Sequence, residues 1–544
     1  MVKKRKGFLV RFVSLAVALA IVMALIGGCG APAATTTTAP PTTPEGEAAA
    51  QAGATGPEGA VAAAGADFDA DIVIATASDL VTFDPWGTTD PFTAYIIFNL
   101  YTRLFVQDKY IKGVPELAKS YEMVSDTEWR FTIWDDVKAH DGSYITIDDV
   151  VWSLNQALDS VVMRALFAPV LEINRYDDRT VQFITDGIFP SLPSALSNQG
   201  TSIVPQSYGE WAQANDDWTQ PVGTGRYKLD SRVIGDSVRF VRFDDYFNPE
   251  ERAKNASITY LVIPEGTART IAVETGRADI NIEFMTADYD RVMANPDLKL
   301  HTYPSQSVWH LGMDHTHEWF SNRYVRQAVS FAIDREACLY VGHDGKGVVM
   351  YNSSTFAPSI LGAIVNPLDM YRYDPEEARR LMALAGSPQF QTDLLVMRDE
   401  AERIATVIQA NLAEIGITVN VNRVEQATFL NYVQSHQAPM FITTWGCYWD
   451  PDLFLSRRFT ELGFGGANRG WYSSPELDEM IRRGRSVLDL DRRIEYYREL
   501  QEFMAYEAVQ VDLLVPYSFA LARADLLGVF LGTDRATEFW MLHY

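Results

Sequence analysis

Between residues 129 and 133, apolar side chains occupy every second position along the chain. Trp129, Phe131 and Ile133 alternate with Arg130 and Thr132. A repeat of two places the three apolar side chains on one face of an extended segment. The pattern therefore predicts a strand that buries one face.

A turn and a capped helix are predicted directly after this strand. Residues 140–142 read His-Asp-Gly, and the glycine tolerates the positive φ that a tight turn requires. Thr146 and Asp149 stand just before an apolar run at 150–154, in the arrangement of a capping box at a helix start. Strand, turn and helix together form a unit that is typical of an α/β protein.

The second half of the chain is rich in predicted helices. Apolar residues within 325–333 recur with the spacing of one buried helix face. Asp374-Pro375 suits the N-cap and first position of another helix, and Gly386 suits the residue after its end. A helix over 402–415 then passes through a glycine into an alternating strand over 417–421. This succession predicts a layered α/β fold.

The N-terminal segment predicts export and lipid attachment. Basic residues at 3–6 and 11 precede an apolar run at 12–26, which fits a secretory signal and is short for a membrane span. The run ends in Gly-Gly-Cys and resembles a lipobox, so we predict a signal peptide over 1–28 and a diacylglycerol on Cys29. An uncleaved signal anchor is the alternative. Residues 29–66 are mostly Ala, Thr, Pro, Gly and Glu, and are predicted to form a disordered stalk.

Charge limits the possible partners. The chain of 544 residues has a formal net charge of −25 at pH 7. Nucleic-acid binding requires a basic surface, so no nucleic acid is expected as a partner. Adhesion to anionic lipid is disfavoured for the same reason, which leaves the lipid anchor as the only predicted membrane contact.

Five blocks of sequence, taken in order, carry a family resemblance. The first begins with Pro-Glu-Leu-Ala at 115–118 and continues through the strand, turn and helix start described above. The other four are Val-Gly-Thr-Gly-Arg-Tyr-Lys-Leu at 222–229, Arg-Gln-Ala-Val-Ser-Phe-Ala-Ile-Asp at 326–334, Tyr-Asp-Pro-Glu-Glu-Ala-Arg at 373–379, and Asn-Leu-Ala-Glu-Ile-Gly-Ile at 411–417. In this order they resemble the bacterial extracellular solute-binding proteins of family 5, the peptide-binding type that serves ABC importers.

The resemblance implies an α/β periplasmic-binding-protein fold of type II, similar to cluster C, with two lobes around a ligand cleft. Lobe I would comprise residues 67–112, 222–305 and 511–544, with an inserted subdomain over 113–221. Lobe II would comprise residues 306–510. The resemblance also implies a monomer that binds peptides or similar small polar solutes and delivers them to an ABC permease with its ATPase subunits. Oligosaccharides are an alternative ligand class, and sensing is an alternative role.

No catalytic or cofactor motif is present in the sequence. It lacks a Gly-x-Ser-x-Gly elbow, a His-Glu-x-x-His pair, a P-loop and a dinucleotide fingerprint. His140 and Asp141, next to Gly142, are interpreted as part of a turn. We therefore expect neither enzymatic activity nor a cofactor. A secreted peptide or glycan hydrolase with widely separated carboxylates is the alternative from another class.

The loop after a predicted strand at 441–444 is the main candidate for ligand contact. In peptide-binding members of the family, a tryptophan opens this loop and an aspartate holds the α-ammonium of the ligand. Here Trp445 opens the loop, Tyr448 and Trp449 follow, and the first carboxylate is Asp450. Either Asp450 replaces that aspartate, or the aromatic side chains form stacking surfaces for sugars and other neutral solutes. Packing inside the protein is the structural alternative.

The resemblance adds three further candidates, because Trp86, Trp309 and His310 fall where the family's chain lines the cleft. Ordinary core packing is the alternative for each of them. His310 also begins a histidine-rich segment with His315 and His317. Their spacing matches no closed metal site, so no physiological metal is expected.

Two cysteines lie downstream of Cys29. Cys338 and Cys447 are expected to be buried free thiols, and a disulfide between them is the alternative.

Overall fold

The computed structural model describes residues 67–544 except 89, 108–112, 161–162, 352–354, 359, 361, 364–369, 447–449, 465 and 531–538. The predicted signal peptide, Cys29 and the predicted stalk lie outside the described residues, as do Cys447, Tyr448 and Trp449. None of the helices described is both long and apolar enough to cross a bilayer.

The described chain contains eighteen strands, most of which belong to one sheet. They are β1 (Asp71–Thr76), β2 (Phe105–Gln107), β3 (Gly113–Pro115), β4 (Ala118–Ser125), β5 (Glu128–Ile133), β6 (Val170–Arg175), β7 (Thr180–Thr185), β8 (Tyr227–Val233), β9 (Ser237–Arg242), β10 (Ser257–Val262), β11 (Ile280–Asn281), β12 (Leu298–Pro304), β13 (Ser307–Met313), β14 (Gly347–Val349), β15 (Phe390–Val396), β16 (Ile417–Arg423), β17 (Met440–Gly446) and β18 (Val511–Arg523).

Fourteen α-helices are described among the same residues. They are α1 (Pro91–Leu100), α2 (Ile147–Asp159), α3 (Leu192–Ala195), α4 (Gln206–Asn215), α5 (Gly266–Glu274), α6 (Tyr289–Met293), α7 (Arg323–Ala332), α8 (Arg335–His343), α9 (Pro375–Leu384), α10 (Asp399–Ala413), α11 (Gln426–Gln434), α12 (Pro451–Arg458), α13 (Pro475–Arg485) and α14 (Leu490–Glu507).

One sheet of twelve strands runs through the fold. Ten of them follow in the order β16-β15-β17-β13-β18-β11-β1-β10-β9-β8, and the other two, β12 and β14, pair with β18. The long strand β18 is its central member. The first residues of β18 pair with β13 and β14, and its later residues pair with β12 and β11. β18 therefore connects two differently built parts of the sheet.

The apolar side chains form two large cores on either side of this connection. The first core contains Ile72 and Phe131, and the second contains Leu311 and Ile404. β18 contributes to both, with Ala520 and Ala522 in the first and Val511, Leu513 and Leu514 in the second.

The strand predicted at 129–133 is confirmed as part of β5, inside a four-stranded antiparallel sheet of order β4-β5-β7-β6. Trp129, Phe131 and Ile133 are buried, while Arg130 and Thr132 are half-buried. The predicted capping box is also confirmed. The Thr146 side chain accepts from the Asp149 N–H, and the Asp149 carboxylate accepts from the Thr146 N–H at the start of α2.

The first two family blocks are joined by a buried ion pair. Glu116 of the Pro-Glu-Leu-Ala block lies 3.0 Å from the Arg226 guanidinium, with 1 % of its side chain exposed. Its second oxygen accepts from the Arg103 N–H at 2.9 Å. A buried carboxylate needs such partners, which explains why an acidic side chain can occupy this position.

His140 makes a second joint between the same blocks. The backbone N–H of His140 donates to the Gly223 carbonyl, and the ring Nδ1 accepts from the Gly223 N–H at 3.2 Å. The ring proton is therefore on Nε2, which faces the Gly225 carbonyl at 3.2 Å. A side chain at Gly223 or Gly225 would collide with backbone carbonyls of α1, so the two glycines permit this close approach. Burial lowers the pKa of His140 to about 4. The His-Asp-Gly segment is thus a structural joint.

The helices predicted in the second half are confirmed with small shifts of their ends. α9 begins at Pro375 with Asp374 as its N-cap, and Gly386 after its end has a φ of +90°. α10 begins at Asp399, three residues before the predicted start, and β16 follows it. Cys338 lies within α8 as a buried free thiol, and burial raises its pKa to about 12.

Candidate functional site

The candidate residues of the second half lie around the antiparallel pair β13 and β17. Register places Val308 opposite Trp445 and His310 opposite Thr443. Neighbouring residues of a strand point to opposite faces, so Trp309 and His310 are separated by the sheet. Trp309 packs in the second core, with its ring 5.0 Å from that of His343.

His310 is 1 % exposed and is held by a guanidinium. Its Nε2 lies 2.7 Å from Arg458 Nη2, and its Nδ1 lies 3.3 Å from the Val308 carbonyl. An arginine can only donate, so Nε2 accepts and the ring proton is on Nδ1. Burial, and then the charge of Arg458, hold the pKa of His310 well below its usual value. His310 is therefore a neutral hydrogen-bond partner.

Trp445 is half-buried and lies against two guanidinium groups. The Arg458 and Arg469 guanidinium carbons are 4.9 and 5.0 Å from the centre of its ring. Both distances are within the range of a cation–π contact. The Trp445 ring thus contacts both cations.

The two arginines have few hydrogen-bond acceptors. Arg458, which is 5 % exposed, donates to His310 and to Gln510 Oε1 at 2.8 Å. Arg469 donates to Thr443 Oγ1 at 3.2 Å. Arg458 Nε and Nη1 and Arg469 Nε are buried without an acceptor. Burial, and then repulsion from Arg469, lower the pKa of Arg458 to about 9.

Asp450 is engaged within the protein. It is the N-cap of α12, where it accepts from the Asp452 N–H, and its other oxygen lies 2.6 Å from Arg493. The Tyr497 hydroxyl donates to it at 3.4 Å. The carboxylate is 5 % exposed, and burial raises its pKa despite the Arg493 charge. Its acceptor positions are therefore occupied by groups of the chain.

Trp86 lies in the first core, apart from this group. Its Nε1 donates to the Gly200 carbonyl at 2.9 Å, and its ring makes edge contacts with Trp152 and Trp218. Among the predicted contacts, the structure brings together His310 and Trp445 through Arg458, and Asp450 begins the helix that carries Arg458. A ligand-binding role for each of these residues stays a prediction.

The sequence interpretation missed both arginines. Arg458 follows Phe454 and Leu455 at helical spacing, so it stands on the buried face of α12. An arginine on an otherwise apolar helix face was the sequence signal that could have identified it. Arg469 lies in an irregular segment, where no periodic pattern exists to mark it.

The three histidines of the metal hypothesis are used separately. His315 faces the Val509 carbonyl at 2.8 Å, and burial lowers its pKa to about 3. His317 packs near Phe320, and residues 315–317 form a turn rather than a strand. Across the described parts of the chain, no group of three or more His, Cys, Asp or Glu side chains has an arrangement that could hold a metal ion.

The chain is similar to known solute-binding proteins over most of its length. It is 25 % identical to the glutathione-binding protein GsiB of Shigella flexneri serotype 5b over 489 residues, which cover 86 % of this chain and 93 % of the relative. The structure of HbpA2 from Haemophilus parasuis matches with a TM-score of 0.79 at 21 % identity, covering 87 % of this chain and 99 % of that one. The periplasmic binding protein DppA from Helicobacter pylori, in complex with the peptide STSA, matches with a TM-score of 0.72 at 22 % identity, covering 88 % and 98 %.

These structural matches confirm the predicted α/β periplasmic-binding-protein fold of the cluster C type. The family model described as "Bacterial extracellular solute-binding proteins, family 5 Middle" matches residues 112–466, which is more than half of the chain. The matched range includes β13, β17 and α12. The family is one of non-enzymatic binding proteins, so the hydrolase alternative is excluded. The chain belongs to the bacterial extracellular solute-binding proteins of family 5.

Proposed function

We propose that this protein is the substrate-binding component of an ABC importer that captures peptides or glutathione-like solutes and passes them to a membrane permease. The family match over residues 112–466 is the observation that carries the proposal. Similarity to a glutathione-binding protein and to a peptide-bound relative supports the ligand class. The chain acts as a receptor, and no bond is made or broken.

Capture follows from the closure of two lobes over the ligand. We retain the division into lobe I (67–112, 222–305 and 511–544), its inserted subdomain (113–221) and lobe II (306–510). The two apolar cores support this division, although the first residues of β18 pack in the core of the second lobe. A ligand that contacts both lobes binds the closed form better, so it shifts the population towards closure.

Contacts between the proposed lobes already exist. Ser191 donates to the Asp452 carboxylate at 3.4 Å, with both residues buried. Thr286 donates to Asp344 at 3.1 Å near the surface. Such side-chain contacts can break when the lobes separate without disturbing either core.

The surroundings of Trp445 favour a charged ligand over a neutral sugar. Stacking of a sugar requires a free ring face. The Trp445 ring already contacts the guanidinium groups of Arg458 and Arg469. We therefore place oligosaccharides second among the ligand classes.

The proposed location is the outer face of the membrane. A diacylglycerol on Cys29 would anchor the protein, residues 30–66 would act as its stalk, and a monomer would meet the permease and ATPase complex. Labelled palmitate should enter the wild-type protein and not Cys29→Ser, and the variant should leave the membrane fraction. Equal labelling of both proteins would contradict the anchor.

Uptake by a deletion mutant tests the function. Cells that lack the gene should lose import of labelled glutathione or of labelled tripeptides, and a plasmid copy should restore it. Mass spectrometry of solutes that co-purify with the protein identifies the ligand. Unchanged uptake of every candidate solute, together with an altered transcriptional response to one of them, would favour the sensory role.

A further inference from the structure

An open groove lies at the outer edge of the large sheet, between β15, β16 and the end of α11. Its volume is about 710 Å³ including open solvent, and about 360 Å³ of this space is wide enough for water-sized groups. This size suits a small ligand and is small for the footprint of a folded protein. The groove is four strands away from β18, about 19 Å at the usual strand spacing, so it lies apart from the junction of the two cores.

The floor of the groove is apolar and its rim is polar. The floor belongs to, or packs against, a small core beneath α11, and its side chains are Leu395, Val424, Tyr432 and Ala438. The exposed side chains on the rim are Asp393, Asn422 and Gln437. Such a lining can hold an apolar stem and, at the same time, pair with the polar groups that the stem carries.

The strand beside the groove has a free edge. Among the described strands, β16 pairs only with β15 and ends the sheet. The Val424 N–H donates to the Val396 carbonyl at 3.0 Å, so the backbone of Val424 points towards β15. Backbone groups alternate in direction along a strand, so those of Val421 and Arg423 point away from the sheet.

The open part of this edge coincides with the groove. The Val419 carbonyl accepts from Gln409 Nε2 at 2.6 Å, which covers the edge before the groove begins. Val421 and Arg423 line the groove itself. Sheet edges are commonly protected by lysine, proline or a bulge, and β16 contains no lysine or proline and pairs with β15 in an unbroken register. An extended chain can therefore add to this part of β16.

A carboxylate without a cation stands at the rim of the groove. Asp393 accepts from Asn420 Nδ2 at 3.1 Å, and no basic side chain in the described part of the chain lies within ion-pair distance of it. Arg423, which also lines the groove, is engaged by Asp399 and by Glu402, the latter at 2.8 Å. The uncompensated charge of the groove is therefore negative, and it favours a cationic group.

We propose that this groove is a second binding site, which takes a short basic peptide as an additional strand beside β16. The peptide's backbone amides pair with the outward groups of Val421 and Arg423. The apolar stem of a lysine or arginine side chain packs on Leu395 and Tyr432, and its cationic end reaches Asp393. This inference goes beyond the proposed function and does not depend on which solute is transported.

A blocked tripeptide tests the site, because it has neither a free amino group nor a free carboxylate at its ends. The full mature chain in detergent is titrated with acetyl-Val-Lys-Val-amide by calorimetry, and hydrogen exchange is followed by mass spectrometry. Binding should be saturable and should slow the exchange of amides within residues 417–424. Absence of saturable binding would overturn the proposal. Protection confined to other segments, such as the one around Trp445, would place the peptide elsewhere and overturn it too.

Two analogues of this peptide separate the contacts. Norleucine in place of lysine keeps the apolar stem and removes the ammonium group, so it should bind about fivefold more weakly. A lysine peptide with N-methylated backbone amides cannot pair with a strand edge and should leave residues 417–424 unprotected. Equal affinities of the lysine and norleucine peptides would overturn the contact with a carboxylate. Unchanged protection by the N-methylated peptide would overturn strand addition.

Substitution of the carboxylate tests the same contact from the protein's side. Asp393→Asn should weaken binding of the lysine peptide about fivefold and leave binding of the norleucine peptide unchanged. Glu425→Gln is the matched control, because Glu425 is an exposed acid directly after Val424 and its loss changes the net charge equally. This control should weaken binding less than about twofold. Equal weakening by both substitutions would contradict the assignment of Asp393.

Val421→Pro tests the strand edge. Proline removes the N–H that points away from the sheet and spares the hydrogen bonds to β15, so the variant should keep the wild-type circular dichroism spectrum. It should lose the protection of residues 417–424 by the lysine peptide. Full binding and protection in the folded variant would contradict strand addition. If the variant does not fold, the N-methylated peptide gives the same test on the wild-type protein.

Discussion

Asp450 shows how the contacts of one residue decide between two roles. A carboxylate that holds a ligand's ammonium must have free acceptor positions when the ligand is absent. Asp450 instead caps α12 and pairs with Arg493 at 2.6 Å, while both side chains are buried. These contacts favour an internal ion pair, and a ligand-binding role for Asp450 stays a prediction.

Replacing Asp450 should therefore affect stability first. Asp450→Asn keeps an N-cap acceptor but leaves the Arg493 charge buried and unpaired, so we expect the free energy of unfolding to fall by about 3–5 kcal/mol. Chemical denaturation measures the change. Asp491→Asn, which removes an exposed acid from the first turn of α14, is the control. Unchanged stability with loss of ligand binding would instead assign Asp450 to the ligand.

Trp445→Ala should do the opposite. The side chain is half-buried and contributes two cation–π contacts of about 0.5–1 kcal/mol each, so its removal frees the guanidiniums more than it opens a core. We expect glutathione or a transported tripeptide to bind about tenfold more weakly, with an unchanged circular dichroism spectrum. Trp211→Ala, at an exposed position on α4, should bind normally. Full affinity in Trp445→Ala would remove this residue from the site.

At the scale of elements, family blocks that are distant in sequence hold each other. The His140 joint couples the turn after β5 to the segment before β8, and the Glu116 pair couples the end of β3 to the same segment. Because His140 stays neutral when buried, this joint depends on pH.

Acid should weaken the His140 joint. The folded pKa is about 4 and the ordinary value is 6.5, so the unfolded chain binds the extra proton first as pH falls between these values. The contribution to stability is fully present above pH 6.5 and is lost as pH falls towards 4. Melting temperature should fall more steeply over this window in the wild type than in His140→Asn. Parallel curves for the wild type and His140→Asn would contradict the prediction.

Elements that depend on neighbouring residues could be predicted from the sequence, and contacts between distant residues could not. The capping box of α2, the alternation of β5 and the glycine after α9 each follow from a few adjacent positions. The pairing of Arg458 with His310 joins residues 148 positions apart, and the Asp450–Arg493 pair joins residues 43 apart. Periodicity carries no information about such pairs, so the family and fold were predictable while these pairs were not.

At the scale of the whole molecule, β18 joins the two cores in one continuous strand. Its first residues pack with β13 and β14, and its later residues pair with β12 and β11. Motion of one core relative to the other must therefore be absorbed near the middle of this strand and in the chain segments beside it. The Ser191–Asp452 and Thr286–Asp344 contacts are among the side-chain contacts that such a motion would break.

Ligand binding should make the molecule more compact and more stable. A ligand that contacts both lobes favours the closed population, so the radius of gyration from small-angle X-ray scattering should fall as glutathione or a transported tripeptide saturates the protein. At a free ligand concentration of a hundred times Kd, the free energy of unfolding should rise by about 2.7 kcal/mol through mass action. A hundredfold loss of affinity in Arg458→Gln should leave a rise of only about 0.4 kcal/mol at the same ligand concentration, while Arg457→Gln should show both changes in full. Calorimetric saturation with an unchanged radius of gyration would mean that the ligand binds to a preformed site, and closure would then play no part in capture.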